Sequence, residues 1–483
     1  MRAGRHGNAH ACRANRALLA CLMAVCLGQS AWGAATGSPT PEGGEPLPAP
    51  STAPQSDTST AAPAPAQPPA EENWAIHGQS TFTEFYHPGF SSAYRGPQSL
   101  DPGSRGDETW DVTVYGGVRV WRGAEVWVNP EVDQGLGPSN TFGVAGYPSA
   151  EAYKLGSGTP YIRIQKLFLR QTINLGGEVQ TVDPDLNQLG GSQTTNRVVV
   201  TVGKFSSFDV FDTNKYAHDP RNDFLNWALI DAGTFDQAAD AWGESYGVAV
   251  EWYQDWWTIR AGAFDMPTVP GYQYLDNRFG HQEQYLGELE LRYRLFEQEG
   301  KFKVDGFLSH GLFGSYDQAV AYAAVTGTTP DTQAVRRLAN KPGGSVNLEQ
   351  PITEDLGFFA RAGWQDGSKS ITAYTDIDNT VSFGFSLAGN RWSRPDDTVG
   401  IGFARNDGSR QLKNYLNAGG LGILIGDGAL RNSGPEYEME TYYSLAVVKG
   451  VKLTADYQFV ANPAYNRDRG PVNFFGLRLH GQF

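Results

Sequence analysis

The stretch VTVYGGVRVWRGAEVWVNPEV, Val112 to Val132, alternates on both sides of a two-residue turn. Ahead of Arg122-Gly123, Val112, Val114, Gly116, Val118 and Val120 fall on one face, and Thr113, Tyr115, Gly117, Arg119 and Trp121 on the other. Beyond it, Val126, Val128, Pro130 and Val132 oppose Glu125, Trp127, Asn129 and Glu131. Successive side chains of a strand point to opposite sides, so a period of two means β-structure. The stretch is a hairpin with one aliphatic face and one charged, aromatic face.

The pattern recurs along the chain. Val248, Val250 and Trp252 oppose Ala249, Glu251 and Tyr253; after a turn at Asp255-Trp256, Ile259, Ala261 and Ala263 oppose Thr258, Arg260 and Phe264. Leu289, Leu291, Tyr293 and Leu295 oppose Glu288, Glu290, Arg292 and Arg294. The last residues, VNFFGLRLHGQF, set Phe475, Leu477, Leu479, Gly481 and Phe483 on one face.

Sixteen such segments can be placed, near 74–86, 110–121, 124–132, 160–175, 196–204, 245–254, 257–266, 282–295, 301–313, 343–352, 356–365, 379–389, 398–406, 436–448, 451–460 and 472–483. Connections after odd-numbered segments are long (87–109, 133–159, 205–244, 267–281, 314–342, 366–378, 407–435, 461–471), and those after even ones are mostly short. An apolar face backed by a charged one also suits a soluble sandwich, but no ordinary sandwich has that rhythm. An even number of ~10-residue alternating strands, joined in turn by short turns and long loops, is the pattern of an outer-membrane barrel. Peptide groups in hydrocarbon must pair internally, and a closed sheet leaves no free edge.

Residues 73–483 are therefore expected to form one 16-stranded antiparallel transmembrane β-barrel around a water-filled lumen. The last segment closes it, with Phe483 toward lipid. The expected surroundings are the bilayer and lipopolysaccharide of a Gram-negative outer membrane, and a homo-oligomer is compatible with the pattern.

Both the N-terminus and the charge agree with export to that membrane. Arg2, Arg5, Arg13 and Arg16 precede an apolar run from Ala17 to Leu27, closed by small residues at Ala31, Gly33 and Ala34, so residues 1–33 read as a cleaved secretory signal peptide. The run is too short for a membrane-spanning helix, which needs about 20 apolar residues. Reading Leu18-Leu19-Ala20-Cys21 as a lipidation box would leave only four apolar residues after Arg16, too few for a signal core. All three cysteines, Cys12, Cys21 and Cys26, lie in this leader, which excludes a disulfide framework or thiol nucleophile downstream. Residues 34–72 carry ten of the 28 prolines and hardly an aromatic, and read as a disordered linker. Without the leader, 34 basic residues stand against 52 acidic ones, a formal charge of −18, so nucleic acid is not an expected partner.

In such a barrel the inward residues carry the function. Among them, Tyr115, Arg119, Trp121, Glu125, Trp127, Arg163, Glu251, Arg260, Glu290 and Arg292 are the candidate pore lining. Charges of both signs interleaved with aromatics suit polyhydroxylated solutes, whose apolar faces lie on rings while ions and amides bond their hydroxyls. The 205–244 connection is too aromatic for a solvated loop: Phe205, Phe208, Phe211, Tyr216, Phe224, Trp227 and Phe235 need a place to pack, and the barrel interior offers one. It is expected to fold inward and narrow the pore, placing Asp209, Asp212, Asn214, Lys215, Asp219, Arg221 and Asp223 at the constriction. An external lid is the competing arrangement.

Neither a metal site nor a cofactor is expected. Asp212-Thr213-Asn214 with Asp209 and Asp219 has carboxylates for calcium but lacks the EF-hand glycine and closing glutamate. GGLGILIGDG at 419–428 lacks phosphate-loop spacing and reads as loop. The six histidines beyond the leader are scattered and no serine sits in a nucleophile-elbow context, so an enzyme is not expected.

VWVNPEVDQGLG, LFLRQT, VGKFSSFDVFDTNKYAHDPRNDFLNWALIDAGTFDQAADAWG, YGVAVEWYQDWWTIRAG, RPDDTVGIG, YLNAGGLGILIGDG and DYQFVANPAYNRDRGPV resemble the carbohydrate-selective porin family, the OprB type. The resemblance spans roughly residues 73–483. It implies a sixteen-stranded barrel that passes glucose-like monosaccharides into the periplasm by passive diffusion, and a terminal Phe483 that such chains share and the outer-membrane assembly machinery reads. It does not cover residues 34–72. Two alternatives remain: a structural barrel tethered to the cell wall by its N-terminal tail, and a channel for other small organic solutes, such as anionic or aromatic acids.

Overall fold

A computed structural model describes residues 71–152 and 156–483. The expected signal peptide, 1–33, and all but Glu71 and Glu72 of the expected linker lie outside those residues. Sixteen antiparallel strands form one closed barrel in which each strand pairs with its neighbours in sequence and β1 with β16. They are β1 (Trp74–His87), β2 (Arg105–Trp121), β3 (Ala124–Gly135), β4 (Ser157–Val182), β5 (Gly191–Phe205), β6 (Ser245–Tyr253), β7 (Trp257–Asp265) and β8 (Glu283–Leu295). The second half comprises β9 (Gln298–Phe313), β10 (Arg337–Pro351), β11 (Leu356–Gln365), β12 (Asn379–Ala388), β13 (Thr398–Asp407), β14 (Glu436–Val448), β15 (Val451–Ala461) and β16 (Val472–Gln482). Among the described residues no helix is long and apolar enough to cross a membrane.

Alternation sorts the side chains as period two requires. Val114, Val128, Ile162, Val250, Ile259, Leu289, Phe383 and Leu477 stand exposed on the outer wall, while Thr113, Glu131, Glu251, Arg260, Glu288 and Arg478 are buried within. The aliphatic residues therefore meet no closed core of their own; the outer wall is a lipid-facing surface. At the seam, Gly78 and Phe483 exchange both backbone hydrogen bonds (3.2 and 3.0 Å), and the Phe483 ring, 73 % exposed, lies over Gly78.

Several strands outrun their expected limits, β4, β5 and β10 among them. β4 and β5 extend to Val182 and from Gly191, so the connection between them, 176–195 by the expected limits, is residues 183–190 at the tip of a hairpin. β10 begins at Arg337, because pairing with β9 runs on through Pro342-Gly343-Gly344, which reads as a break: Pro342 lies opposite Leu308 and Gly343 opposite Phe307. A Cβ on Gly343 would sit 2.1 Å from the Phe307 ring, so only glycine lets that ring lie flat on the wall.

The barrel interior is filled by loops from the long-loop end. Residues 206–244 fold inward, and Phe205, Phe211, Phe224, Leu225, Leu229 and Phe235 are all essentially buried, each burial worth on the order of 2 kcal/mol. Residues 136–152 also turn inward, as do parts of 366–378 and 408–435, where Ile377 and Ile425 are fully buried.

Candidate functional site

The 206–244 loop follows the inner wall and is fastened to it by charge-assisted hydrogen bonds. Its aromatic residues set the path. Phe205 meets Phe264 of β7 edge-on at 5.3 Å, Phe224 meets Tyr442 of β14 at 5.0 Å, and Phe235 stacks on Phe307 of β9 at 5.3 Å. The lone glycine gap at Gly343 is what keeps Phe307 in place for that stack.

The strongest fastening is at Asp212, which adopts a left-handed backbone (φ 54°) that aspartate tolerates better than most residues. Its carboxylate accepts from Arg361 Nε (3.1 Å), Asn347 Nδ2 (2.6 Å) and the backbone N–H of Ala232 (2.6 Å), while its own N–H donates to Glu288 (2.8 Å). Arg361 is fully buried and also donates to the carbonyls of Leu229 and Ala217, both at 2.9 Å. Asn214 donates to Asn347 (2.8 Å), and the N–H of Lys215 donates to Glu349 (2.7 Å) while its side chain stays exposed.

Farther on, Arg221 reaches across to Asp111 (3.3 Å), Glu131 (3.4 Å), Glu151 (3.4 Å) and the Tyr115 hydroxyl (3.4 Å). Asp219 accepts from the Arg221 N–H (2.9 Å), and Asp223 accepts from the N–H groups of His218 and Asp219. Glu440 of β14 accepts from the N–H groups of Leu225 and Asn226, and Asp236 pairs with Lys341 (3.2 Å) and takes N–H groups of Ala373 and Tyr374. Asp212, Asn214 and Asp223 thus hold the loop's shape. Asp209 alone of the loop's carboxylates reaches an open edge, where it pairs with Lys166 of β4 at 2.6 Å.

Burial sets the ionisation of two loop groups. The Asp223 carboxyl is pushed up to about 6 by burial, with the Asp219 charge adding to it. His218 is pulled down by burial, but its hydrogen bond to Asp231 and that charge outweigh the pull and raise it above the ordinary histidine range.

The wall residues divide into three groups. Arg119, Glu125, Glu251 and Arg260 bound a cavity of about 650 Å³ beneath the loop, toward the short-turn end, with Asp209 and Thr213 above it. Arg260 is held by Glu251 (3.0 Å), Glu290 (3.0 Å) and Glu288, and Tyr253 donates to Glu251 at 2.5 Å. Arg163 sits higher, paired with Asp133 (2.6 Å) and Glu131, and lies 5.5 Å over the half-buried ring of Trp242, whose Nε1 donates to Tyr161 at 2.9 Å.

The remaining candidates are committed to structure. Tyr115 is covered by Arg221, and Trp127 lies flat on Gly117, fully buried. Arg292 is bonded to Glu290 (2.5 Å) and to carbonyls of the β6–β7 turn. Trp121 departs from the expected alternation: a bulge at Val120 shifts the register, and the ring stands at the rim, 57 % exposed, rather than on the inner wall.

Sequence alternation missed Lys166 and Arg170. A one-residue bulge at Gln165 opposite Asn129 and Pro130 reverses parity, so Arg163 and the even-numbered Lys166, Phe168 and Arg170 all face inward. Arg197, Trp242 and the inward turn of residues 136–152 were also not singled out; Tyr147, which stacks on Trp227 at 5.2 Å, was the available signal for the last. Calcium has no claim on Asp212, whose oxygens are occupied by Arg361, Asn347 and Ala232.

A family model described as carbohydrate-selective porin, OprB family, matches residues 98–483. The chain belongs to this family. The porin is similar in fold to the high-pH structure of Pseudomonas putida OprB, with a TM-score of 0.65 at 15 % identity, covering 85 % of this chain and 94 % of that one. It also matches the outer membrane channel DcaP of Acinetobacter baumannii, with a TM-score of 0.46 at 11 % identity, covering 85 % of this chain and 97 % of that one. No curated protein matches it. Family and fold are those of outer-membrane channels, not of enzymes. The long loops of the porin accordingly mark its external end and the short turns its periplasmic end.

Proposed function

We propose that this porin passes small neutral sugars, glucose-like monosaccharides, from outside the cell into the periplasm by passive diffusion, without a cofactor. One observation supports the reading beyond family membership: at three points along the path charges are compensated in pairs, two of them beside half-buried rings. Lys166 pairs with Asp209, Arg163 with Asp133 beneath Trp242, and Arg260 with Glu251 next to Tyr253. A neutral polyol can bond both partners of such a pair and lay its apolar face on the ring, whereas an ion gains little from a compensated pair.

Export relies, on this proposal, on residues 1–33 acting as a cleaved leader, and barrel insertion on recognition of Phe483 by the assembly machinery. Reconstituted full-length protein tests the transport reading. Liposomes carrying it should swell faster in glucose than in an uncharged amino acid of similar size, and planar bilayers should show ion conductance that glucose reduces. Conductance that glucose leaves untouched, together with no sugar uptake, overturns it.

A further inference from the structure

We infer that the cavity beneath the constriction loop is a binding site for acidic monosaccharides, sugars that carry one carboxylate. The inference rests on the carbohydrate reading above and extends it from neutral to singly charged sugars. The cavity holds about 650 Å³, inside the ~300–1,000 Å³ range of small-molecule sites. Its carboxylates are already engaged: Glu125 with Arg119 (3.9 Å), Glu251 with Arg260 (3.0 Å) and Asp209 with Lys166 (2.6 Å).

Among the described residues, three guanidinium groups on the same lining make no ion pair: Arg122, Arg170 and Arg197. Among the described residues, Glu71 is the one lining carboxylate without an ion pair. Arg170 donates one Nη1 bond to the Asn187 carbonyl (2.8 Å) and lies 5.2 Å over Phe168. Arg197 makes two weak bonds to the carbonyls of Thr194 (3.2 Å) and Thr195 (3.4 Å), stacks 3.8 Å over Tyr253, and keeps a buried Nε with no partner. A partly buried guanidinium held flat by a ring and without a carboxylate in ion-pair contact is a preorganised fork for one, and bidentate pairing supplies both geometry and strength. Gln171, Asn174, Ser192 and Thr201 add the amides and hydroxyls that a polyhydroxylated ring would use.

The acidic chain as a whole does not repel such a ligand here. At physiological salt charges farther than ~8 Å are screened, so the local arginines decide. A site at the channel's exit also serves flux, because conduction needs binding strong enough to fill the site and weak enough to release.

The test uses the full-length porin in planar bilayers, with glucuronate, glucose and acetate titrated from the short-turn side. Glucuronate should interrupt the current at a concentration at least about tenfold below that of glucose, as one or two charge-assisted bonds require, and acetate, which lacks the polyol, should compete poorly. The double variant Arg170→Gln/Arg197→Gln should lose the preference, so that the glucuronate-to-glucose ratio falls to about one. The charge-keeping Arg170→Lys/Arg197→Lys should retain part of it, which guards against a merely misfolded double variant. Equal action of glucuronate and glucose on the wild type, equal action of acetate, or a preference that survives in the Gln variant overturns the inference. Should glucose itself act on the current while glucuronate shows no advantage, only this inference fails; should neither sugar act, the carbohydrate reading fails with it.

Discussion

The constriction loop and the cavity below it use charge in opposite ways. In the loop, Asp212, Asp236 and Arg221 are each bound to several groups of the wall or of neighbouring loops, and the charges left exposed are Lys215 and Asp209 in its pair with Lys166. In the cavity, Arg170 and Arg197 keep donors that the fold does not use. Buried charges that are fully matched define shape, because breaking one strands its partner in a low-dielectric setting. Half-exposed charges that are unmatched are available to bind. The same residue types therefore fasten the inward loop in one layer and line the proposed acidic-sugar site in the next.

Breaking the loop side should have the largest effect. Arg361→Ala removes four donated bonds and leaves Asp212 without its cation, a loss of about 3–5 kcal/mol for a buried pair. The strand ladder is untouched, so the barrel should still insert and close. The loop should leave the wall, single-channel conductance should rise several-fold, and discrimination among sugars should fall. An unchanged conductance in planar bilayers would show that this loop does not set the pore size.

Acidity should sharpen the contrast, because four groups of the inward loops titrate in one direction between pH 8 and pH 5. Burial pushes Asp223 up to about 6, Asp376 up to about 7 and Asp378 up to about 6. A carboxyl whose pKa is higher folded than unfolded penalises the folded state when ionised. That penalty is present in full above pH 7 and disappears as pH falls through 7 and 6 toward the ordinary value near ~4. His218, raised by Asp231 against the pull of burial, adds stability when protonated and loses it as pH rises through its folded pKa. All four groups make the loop layer more resistant at pH 5 than at pH 8. For Asp223 the full penalty is about 3 kcal/mol, of which roughly half is relieved between pH 8 and pH 5. Urea titrations followed by tryptophan fluorescence at the two pH values should show the difference, and Asp223→Asn should shrink it; coincident transitions would contradict it.

A smaller disturbance should come from Gly343→Val. The added side chain must displace Phe307, which then loses its stack on Phe235, and overpacking of this kind costs about 1–3 kcal/mol. The near-ultraviolet circular dichroism of the packed aromatics should weaken while conductance shifts far less than in Arg361→Ala. A variant as open as Arg361→Ala would mean that the aromatic stack, not the ion pair, fixes the loop.

How far these regions could be read from sequence follows from how local their signals are. Strand number, closure and the inward turn of the 206–244 loop depend on period two, connection length and a run of aromatics with nowhere else to pack, all visible along the chain. The inward roles of Lys166 and Arg170 were hidden by a single extra residue at Gln165, and the exposure of Trp121 by another at Val120, because a one-residue bulge flips every side chain after it. Asp212, Asn214 and Asp223 looked like solute-facing polar groups for a different reason. Whether a carboxylate faces water or a backbone N–H depends on partners more than a hundred residues away, such as Asn347 and Arg361 for Asp212. No spacing rule carries that information.

The smallest effect belongs to a pair that resembles the loop fastenings in geometry but not in surroundings. In the turn between β10 and β11, Asp355 accepts from Arg391 Nε at 2.6 Å, about as close as Lys166 to Asp209, and its carboxyl is held down to about 2, chiefly by that hydrogen bond. Its folded pKa is lower than its unfolded one, so any stability it adds is present above the ordinary carboxyl range near ~4 and fades as pH falls toward 2, the opposite sense to Asp223. Arg391 is more than half exposed, however, and water screens the attraction almost completely. Asp355→Asn should therefore leave the urea midpoint, the conductance and the sugar preference where they are in the wild type. A shift as large as that of Arg361→Ala would mean that distance, and not burial, determines which of this porin's ion pairs hold it together.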